Sequence, residues 1–166
     1  MRDNKQYLKW CLRQERGIRV VAPSSNLVKA YLEKSRNALK SMEVNAQANI
    51  VEWAVSASYY AKYFVVYALL SKIGVKCEIH DCTIAIFDYL FGAKEFHDLV
   101  SELKQSKHER VDIQYYSKEL NINLADTMQQ TKQFVLQIEE LIDRLNAEEV
   151  AALQRKLGTL THARKR

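Results

Sequence analysis

The sequence predicts an all-α protein, an up-down four-helix bundle with one or two short extra helices. Three observations carry that expectation. Of the 166 residues one is proline and four are glycine, too few for a sandwich or barrel whose turns recur roughly every 8–12 residues. Hydrophobic residues make up 48% and charged residues 27%, the balance of a folded globular chain rather than a disordered one. Apolar residues also recur with helical spacing over long stretches. The length suits a single domain able to bury a core without staples.

The elements follow in order. Residues 4–15 are polar with Tyr7, Leu8, Trp10, Cys11 and Leu12 interspersed, and read as a short helix or a docking arm. Gly17-Ile-Arg-Val-Val-Ala-Pro23 is the only β-branched run and ends at the only proline, which marks an extended connector. Ser24, Ser25 and Asn26 offer N-caps for a helix to Val44, with Leu27, Ala30, Tyr31, Ala38, Leu39 and Met42 on its inner face. The next helix, Asn49 to Ile73, is apolar round so much of its circumference that it must be buried or shared with a partner. Gly74 stops it. Asp81 is a plausible cap for a short helix to Phe91, closed by Gly92. Residues 95–120 begin apolar, turn polar through Lys104–Arg110 and resume with Val111 and Ile113; the polar middle reads either as helix or as loop. Asn121-Ile-Asn123 breaks the segment. Residues 124–145 form a strongly amphipathic helix, and Asn146-Ala-Glu-Glu149 is a capping box that restarts a helix to Leu157. The expected organisation is a basic arm and connector (1–24), a helical bundle (25–145), and a C-terminal helix with a basic tail (146–166).

Charge is unevenly distributed. Residues 1–19 hold six basic and two acidic side chains, residues 155–166 hold five basic and none acidic, and the centre has 14 basic against 18 acidic. Basic ends on an acidic body are either solvated tails or contacts for RNA phosphates. Three cysteines (Cys11, Cys77, Cys82) are an odd count, and the first ten residues lack the apolar stretch of a signal peptide. The expectation is a cytoplasmic protein with free thiols and no membrane association.

Helix 49–73 reads Ala54-Val-Ser-Ala-Ser-Tyr-Tyr-Ala-Lys-Tyr-Phe64 and then Tyr67-Ala-Leu-Leu70. Gly74 follows, then His80 at the opening of the short helix, then Glu109-Arg110-Val-Asp-Ile-Gln-Tyr-Tyr116 and a last amphipathic helix. This ordered set, over roughly residues 25–145, resembles the HEPN domain (higher eukaryotes and prokaryotes nucleotide-binding), in its small prokaryotic branch with a Tyr-Tyr-Ala helix. The resemblance implies a bundle that is usually a homodimer. It also implies a toxin–antitoxin-like pairing with a minimal nucleotidyltransferase, and a nucleotide or RNA as ligand. Many members are metal-independent ribonucleases whose arginine is followed, after four to six residues, by a histidine; the arginine holds phosphate and the histidine moves a proton.

Arg110 stands where that arginine falls, but the histidine positions hold Tyr115, Tyr116 and Ser117. A phenol with a pKa near 10 is a poor base at neutral pH. The Ser-Arg that often opens the Tyr-Tyr-Ala motif is Ser56-Ala57 here. The motif is therefore degenerate, and the expected site is a binding cleft lined by Arg110, Tyr115 and Tyr116, with His80 either joining it or serving only to cap or pack its helix. An aromatic beside a guanidinium can stack a base while the guanidinium holds a phosphate. Arg110 pairing with Glu109 or Asp112 is the structural alternative. By analogy with systems in which the partner transferase modifies a tyrosine, Tyr115 or Tyr116 is a candidate acceptor.

Tyr59, Tyr60, Tyr63 and Tyr67 form a ladder in which Tyr60, Tyr63 and Tyr67 share a face, either core or dimer surface. Cys77-Glu-Ile-His80-Asp-Cys82 gathers potential ligands but lacks the separated pairs of a zinc site. Arg155 and His162 match the arginine–histidine spacing outside the resembling region, at a frequency that chance supplies. Glu139, Glu140 and Asp143 read as a solvated helix face. A Gly-rich phosphate loop, a His-Glu-x-x-His and a nucleophile elbow are all missing. No cofactor and no metal is expected. The sequence thus points to a nucleotide- or RNA-binding protein. The alternatives are a divergent ribonuclease in which Arg110 keeps the phosphate and His80 or another group transfers the proton, and a structural dimerisation module.

Overall fold

The computed structural model describes residues 4–92, 96–116 and 122–162. Among these, seven helices and one two-residue ribbon follow in order. They are α1 (Asn4–Arg13), β1 (Arg19–Val20), α2 (Ser25–Gln47), α3 (Val51–Ile73), β2 (Val75–Lys76), α4 (His80–Phe91), α5 (His97–Tyr115), α6 (Leu124–Arg144) and α7 (Ala147–His162). Helix α3 is the axis of the bundle, with α2, α5 and α6 packed around it. Tyr59, Ala61, Val65, Val66, Ala68, Leu69, Leu70 and Ile73 are all buried along α3, which explains why it carries no amphipathic stripe.

Local chemistry sets the boundaries. The Ser24 hydroxyl accepts from Leu27 N and caps α2. Asn49 adopts φ 57° between α2 and α3, a left-handed conformation that asparagine tolerates, so α3 starts at Val51, two residues later than the periodicity suggests. Gly74 sits at φ 91° and closes α3 in a conformation where a side chain would be strained and would meet Val21 O. Asp81 is not the cap of α4; Ile79 is, and Asp81 lies in the first turn, paired with Lys107 of α5.

The polar stretch Lys104–Arg110 is helix, not loop. Its side chains find partners on neighbouring helices or one turn away: Lys104 with Asp88 at 2.7 Å, Gln105 with Glu109 at 2.8 Å, and buried Ser106 accepting from Lys62 Nζ at 2.8 Å. Residues three and four apart share a helix face, so a polar face that meets polar groups costs the helix nothing. The box at Asn146 forms as the sequence predicts: Asn146 Oδ1 accepts from Glu148 N and Glu149 N, and Glu149 accepts from Asn146 N. Helix α7 continues through Gly158 to His162. Gln154 donates to the last carbonyl of α3 at Ile73, and Lys156 to Leu90 O near the end of α4, supplying partners that helix C-termini lack.

Residues 4–20 are integrated into this body. Leu8, Cys11, Leu12 and Ile18 are buried, β1 pairs antiparallel with β2 (Arg19 opposite Lys76), and Glu78 N donates to Arg16 O. The expectation of free thiols is corrected here. Cys11 and Cys82 form a disulfide between α1 and α4, across 71 residues of sequence; Cys77 alone is free, and it is buried. Sequence distance hid the pair, because the extended connector folds α1 back against α4. No helix among the described residues is long and apolar enough to cross a membrane.

Candidate functional site

The aromatic ladder of α3 places Tyr59 fully inside the bundle and leaves Tyr60 half-exposed. Helix α4 begins at His80 and lays its imidazole on Tyr63, with ring centroids 4.2 Å apart and planes 8° from parallel. Tyr59 Oη lies 2.7 Å from His80 Nδ1. Burial pushes the Tyr59 phenol well above its ordinary value, with a further rise from Tyr63. His80 pairs with that hydroxyl as acceptor when its proton sits on Nε2 and as donor when it sits on Nδ1. Its pKa is lowered, first by burial and then by the Arg110 and Lys107 cations, which keeps the ring neutral at neutral pH.

From the other side α5 brings Arg110. Its guanidinium carbon lies 5.6 Å from the Tyr59 ring centre and 5.1 Å from that of Tyr60. Arg110 Nε is buried and has no hydrogen-bond partner. His80 and Arg110, thirty positions apart in sequence, thus flank the same two tyrosines. The sequence places Tyr59 in the tyrosine ladder but not on the face of Tyr60, Tyr63 and Tyr67, and it is Tyr59 that joins the two halves of the cluster. The available signal was a tyrosine, rather than phenylalanine, on the most buried face of a buried helix, since such a hydroxyl needs a partner.

Tyr115 and Tyr116 are not in this cluster. Both are exposed, at 69% and 67%, at the C-terminal end of α5. At about 100° per residue, positions five and six after Arg110 point roughly 140° and 120° away from it. Glu109 and Asp112 are off the Arg110 face for the same reason, and Glu109 engages Gln105. Tyr63 and Tyr67 are core residues, their hydroxyls meeting Thr83 Oγ1 at 3.3 Å and Cys77 N at 3.0 Å. Cys82 is spent in the disulfide, and among the described residues no group of three His, Cys, Asp or Glu is placed to hold a metal ion. Ser117, the side chain of His162 and the tail 163–166 lie outside the described residues.

Two of the hollows among the described residues are the roomiest. An apolar one of about 480 Å³, lined by Trp53, Ala57, Tyr60, Phe64, Lys34 and Ala38, reaches the cluster through Tyr60. A groove of about 560 Å³ between α5 and α6 is lined by other residues, among them Glu102, Gln130 and Phe134. It is the more capacious, but it holds none of the Arg110–His80 groups and is not the candidate site.

Residues 28–150 match the family model of the HEPN domain. The chain belongs to the HEPN domain family. The match covers most of the sequence and all of α3, α4, α5 and α6. No curated protein and no solved structure matches the chain. Membership supports a nucleotide- or RNA-related role at the level of the family.

Proposed function

We propose that this HEPN protein binds a nucleotide or RNA at the Arg110–Tyr60–His80 cluster, where α3, α4 and α5 meet, without cleaving it. The observation that carries the reading is the Arg110 guanidinium over Tyr59 and Tyr60 with an unpartnered Nε, beside the His80 imidazole. A planar guanidinium presents a fork of donors suited to phosphate, and half-exposed Tyr60 offers a face for a base. In this reading Tyr59 donates to Nδ1, so His80 presents Nε2–H as a donor and is a poor general base, its acceptor nitrogen being already engaged.

The remaining parts of the proposal follow the family. Exposed Trp53, at 55%, and the apolar hollow continuous with Tyr60 suit the face of a homodimer. The partner is a minimal nucleotidyltransferase in a toxin–antitoxin-like pair, to which Tyr115 and Tyr116 are accessible as acceptors. The location is the cytoplasm, a compartment in which a disulfide such as Cys11–Cys82 is ordinarily reduced.

A divergent ribonuclease is the second reading, favoured by one fact: Arg110 and His80 meet across the same tyrosines. The test is binding of labelled ATP and of a short labelled RNA, with cleavage assayed in chelator, for wild type and Arg110→Ala. Binding that weakens at least tenfold in the variant, without cleavage, supports the proposal. Metal-free cleavage abolished by Arg110→Ala establishes the ribonuclease instead. A folded protein that does neither is a structural module.

A further inference from the structure

Arg16, Arg19 and Lys76 converge on a single carboxylate. Arg16 Nε lies 2.9 Å from Glu78 Oε2, and Arg19 Nη2 and Lys76 Nζ lie 3.1 Å and 3.4 Å from Glu78 Oε1. Three cations against one anion leave two formal positive charges in excess. Stability does not ask for this arrangement. The cations are exposed at 76%, 45% and 47% of their side chains, exposed ion pairs contribute little, and each cation beyond the first adds like-charge repulsion.

The cluster is also rigidly mounted. Arg19 and Lys76 are opposite partners in the β1–β2 ribbon. Arg16 O accepts from Glu78 N. Ile18 and Val75 are buried beneath the ribbon, and the Cys11–Cys82 disulfide fastens α1 to α4 beside it. These basic residues are thus held at fixed positions on the body. Glu78 stands two residues before His80, at most about 7 Å of extended backbone away, so the cluster adjoins the connection that enters the Arg110–His80 cleft.

We propose that the β1–β2 ribbon is a second phosphate-binding site, formed by Arg16, Arg19 and Lys76, which takes the backbone of a single-stranded RNA whose neighbouring nucleotide occupies the cleft. The inference rests on the reading of the Arg110–His80 cluster above and narrows its ligand to a strand of more than one nucleotide. Glu78 holds the three side chains in place in the free protein. Phosphates compete for them when RNA arrives, and counterions leave the strand.

The experiment measures binding of a short labelled oligouridylate and, separately, of labelled ATP, across a salt series. Wild type is compared with the triple variant Arg16→Gln/Arg19→Gln/Lys76→Gln and with Glu78→Gln, circular dichroism confirming each fold. Single-strand contacts contribute a slope of about 0.7 each to log K against log salt. The triple variant is expected to lower the oligonucleotide slope by about 1.4–2 and to leave ATP binding unchanged. Glu78→Gln removes the competing carboxylate and is expected to tighten oligonucleotide binding by up to about fivefold. An unchanged slope in the triple variant overturns the inference, and so does a wild type that binds no oligonucleotide. In either case ATP binding, and its loss in Arg110→Ala, reports independently on the cleft. Equal weakening of ATP by the triple variant also overturns it, because the two sites would then be one.

Discussion

Replacing Tyr59 with phenylalanine removes one oxygen from the centre of the cluster and asks what that oxygen does. Tyr59 has no exposed surface, so the ring stays and the change deletes the 2.7 Å hydrogen bond to His80 Nδ1. A hydrogen bond of this kind contributes about 1 kcal/mol net, with a further 1 kcal/mol or so if the abandoned acceptor stays dry. His80 is half-buried and water can reach its ring, so the expected cost at pH 8 is about 1 kcal/mol, or roughly 2–4 °C in melting temperature for a chain of this size. The cost has a pH signature. The His80 pKa is below its ordinary 6.5 in the folded protein, so the stability tied to its neutral form is complete above 6.5 and is lost as pH falls through the lower folded value. With Tyr59 as the donor to Nδ1, the hydrogen bond favours the neutral form. In Tyr59→Phe the His80 pKa moves up, protonation is less penalised, and the gap between variant and wild type narrows below about pH 6.5. Thermal melts at pH 8 and 5.5 measure the gap, and long-range nitrogen–proton NMR of the ring reads the tautomer and its titration. An Nδ1–H tautomer in the wild type, with a gap that does not change with pH, would refute the reasoning. Tyr59 would then be the acceptor, and His80 would offer the cleft a bare Nε2, the base a ribonuclease needs.

Three other perturbations follow from the same geometry. Arg110→Gln removes the cation that, after burial, most depresses His80, so the His80 pKa should rise and the acid-side loss of stability should flatten; NMR titration that shows no rise would separate the two residues. Lys62 is 3% exposed and its Nζ meets Glu102 at 2.8 Å and Ser106 at 2.8 Å. Glu102→Gln, which strands that ammonium, should cost about 1–3 kcal/mol in urea denaturation, whereas Lys62→Met, which keeps the volume, should fall within about 1 kcal/mol of wild type; the reverse order would contradict this account of the pair. Breaking Cys11–Cys82 opens a link across 71 residues, worth about 4 kcal/mol in the chain-entropy model. Cys11→Ser or added reductant should therefore lower the melting temperature by roughly 8–16 °C, and coincident melts in both redox states would exclude the bond.

What the sequence determined by itself was short in range, the cap of α4 excepted, where Ile79 stands in place of Asp81. Helical periodicity, the scarcity of glycine and proline, the stop at Gly74 and the box at Asn146–Glu149 act within a few residues, so the bundle, its family and most helix ends were legible without coordinates. The circumference of α3 was apolar enough to place it inside before any neighbour was known. Tertiary structure alone decided how residues distant in the chain meet. The polar run Lys104–Arg110 is helix because Asp88, Asp81 and Lys62 on other helices await its side chains. Cys11 found Cys82 because the connector reverses onto β2. Arg110 found Tyr59 and Tyr60 instead of its sequence neighbours Tyr115 and Tyr116, since helix rotation carries positions five and six residues on to other faces. His80 and Arg110 share a site through three helices, and no local rule encodes a contact that depends on how all three pack.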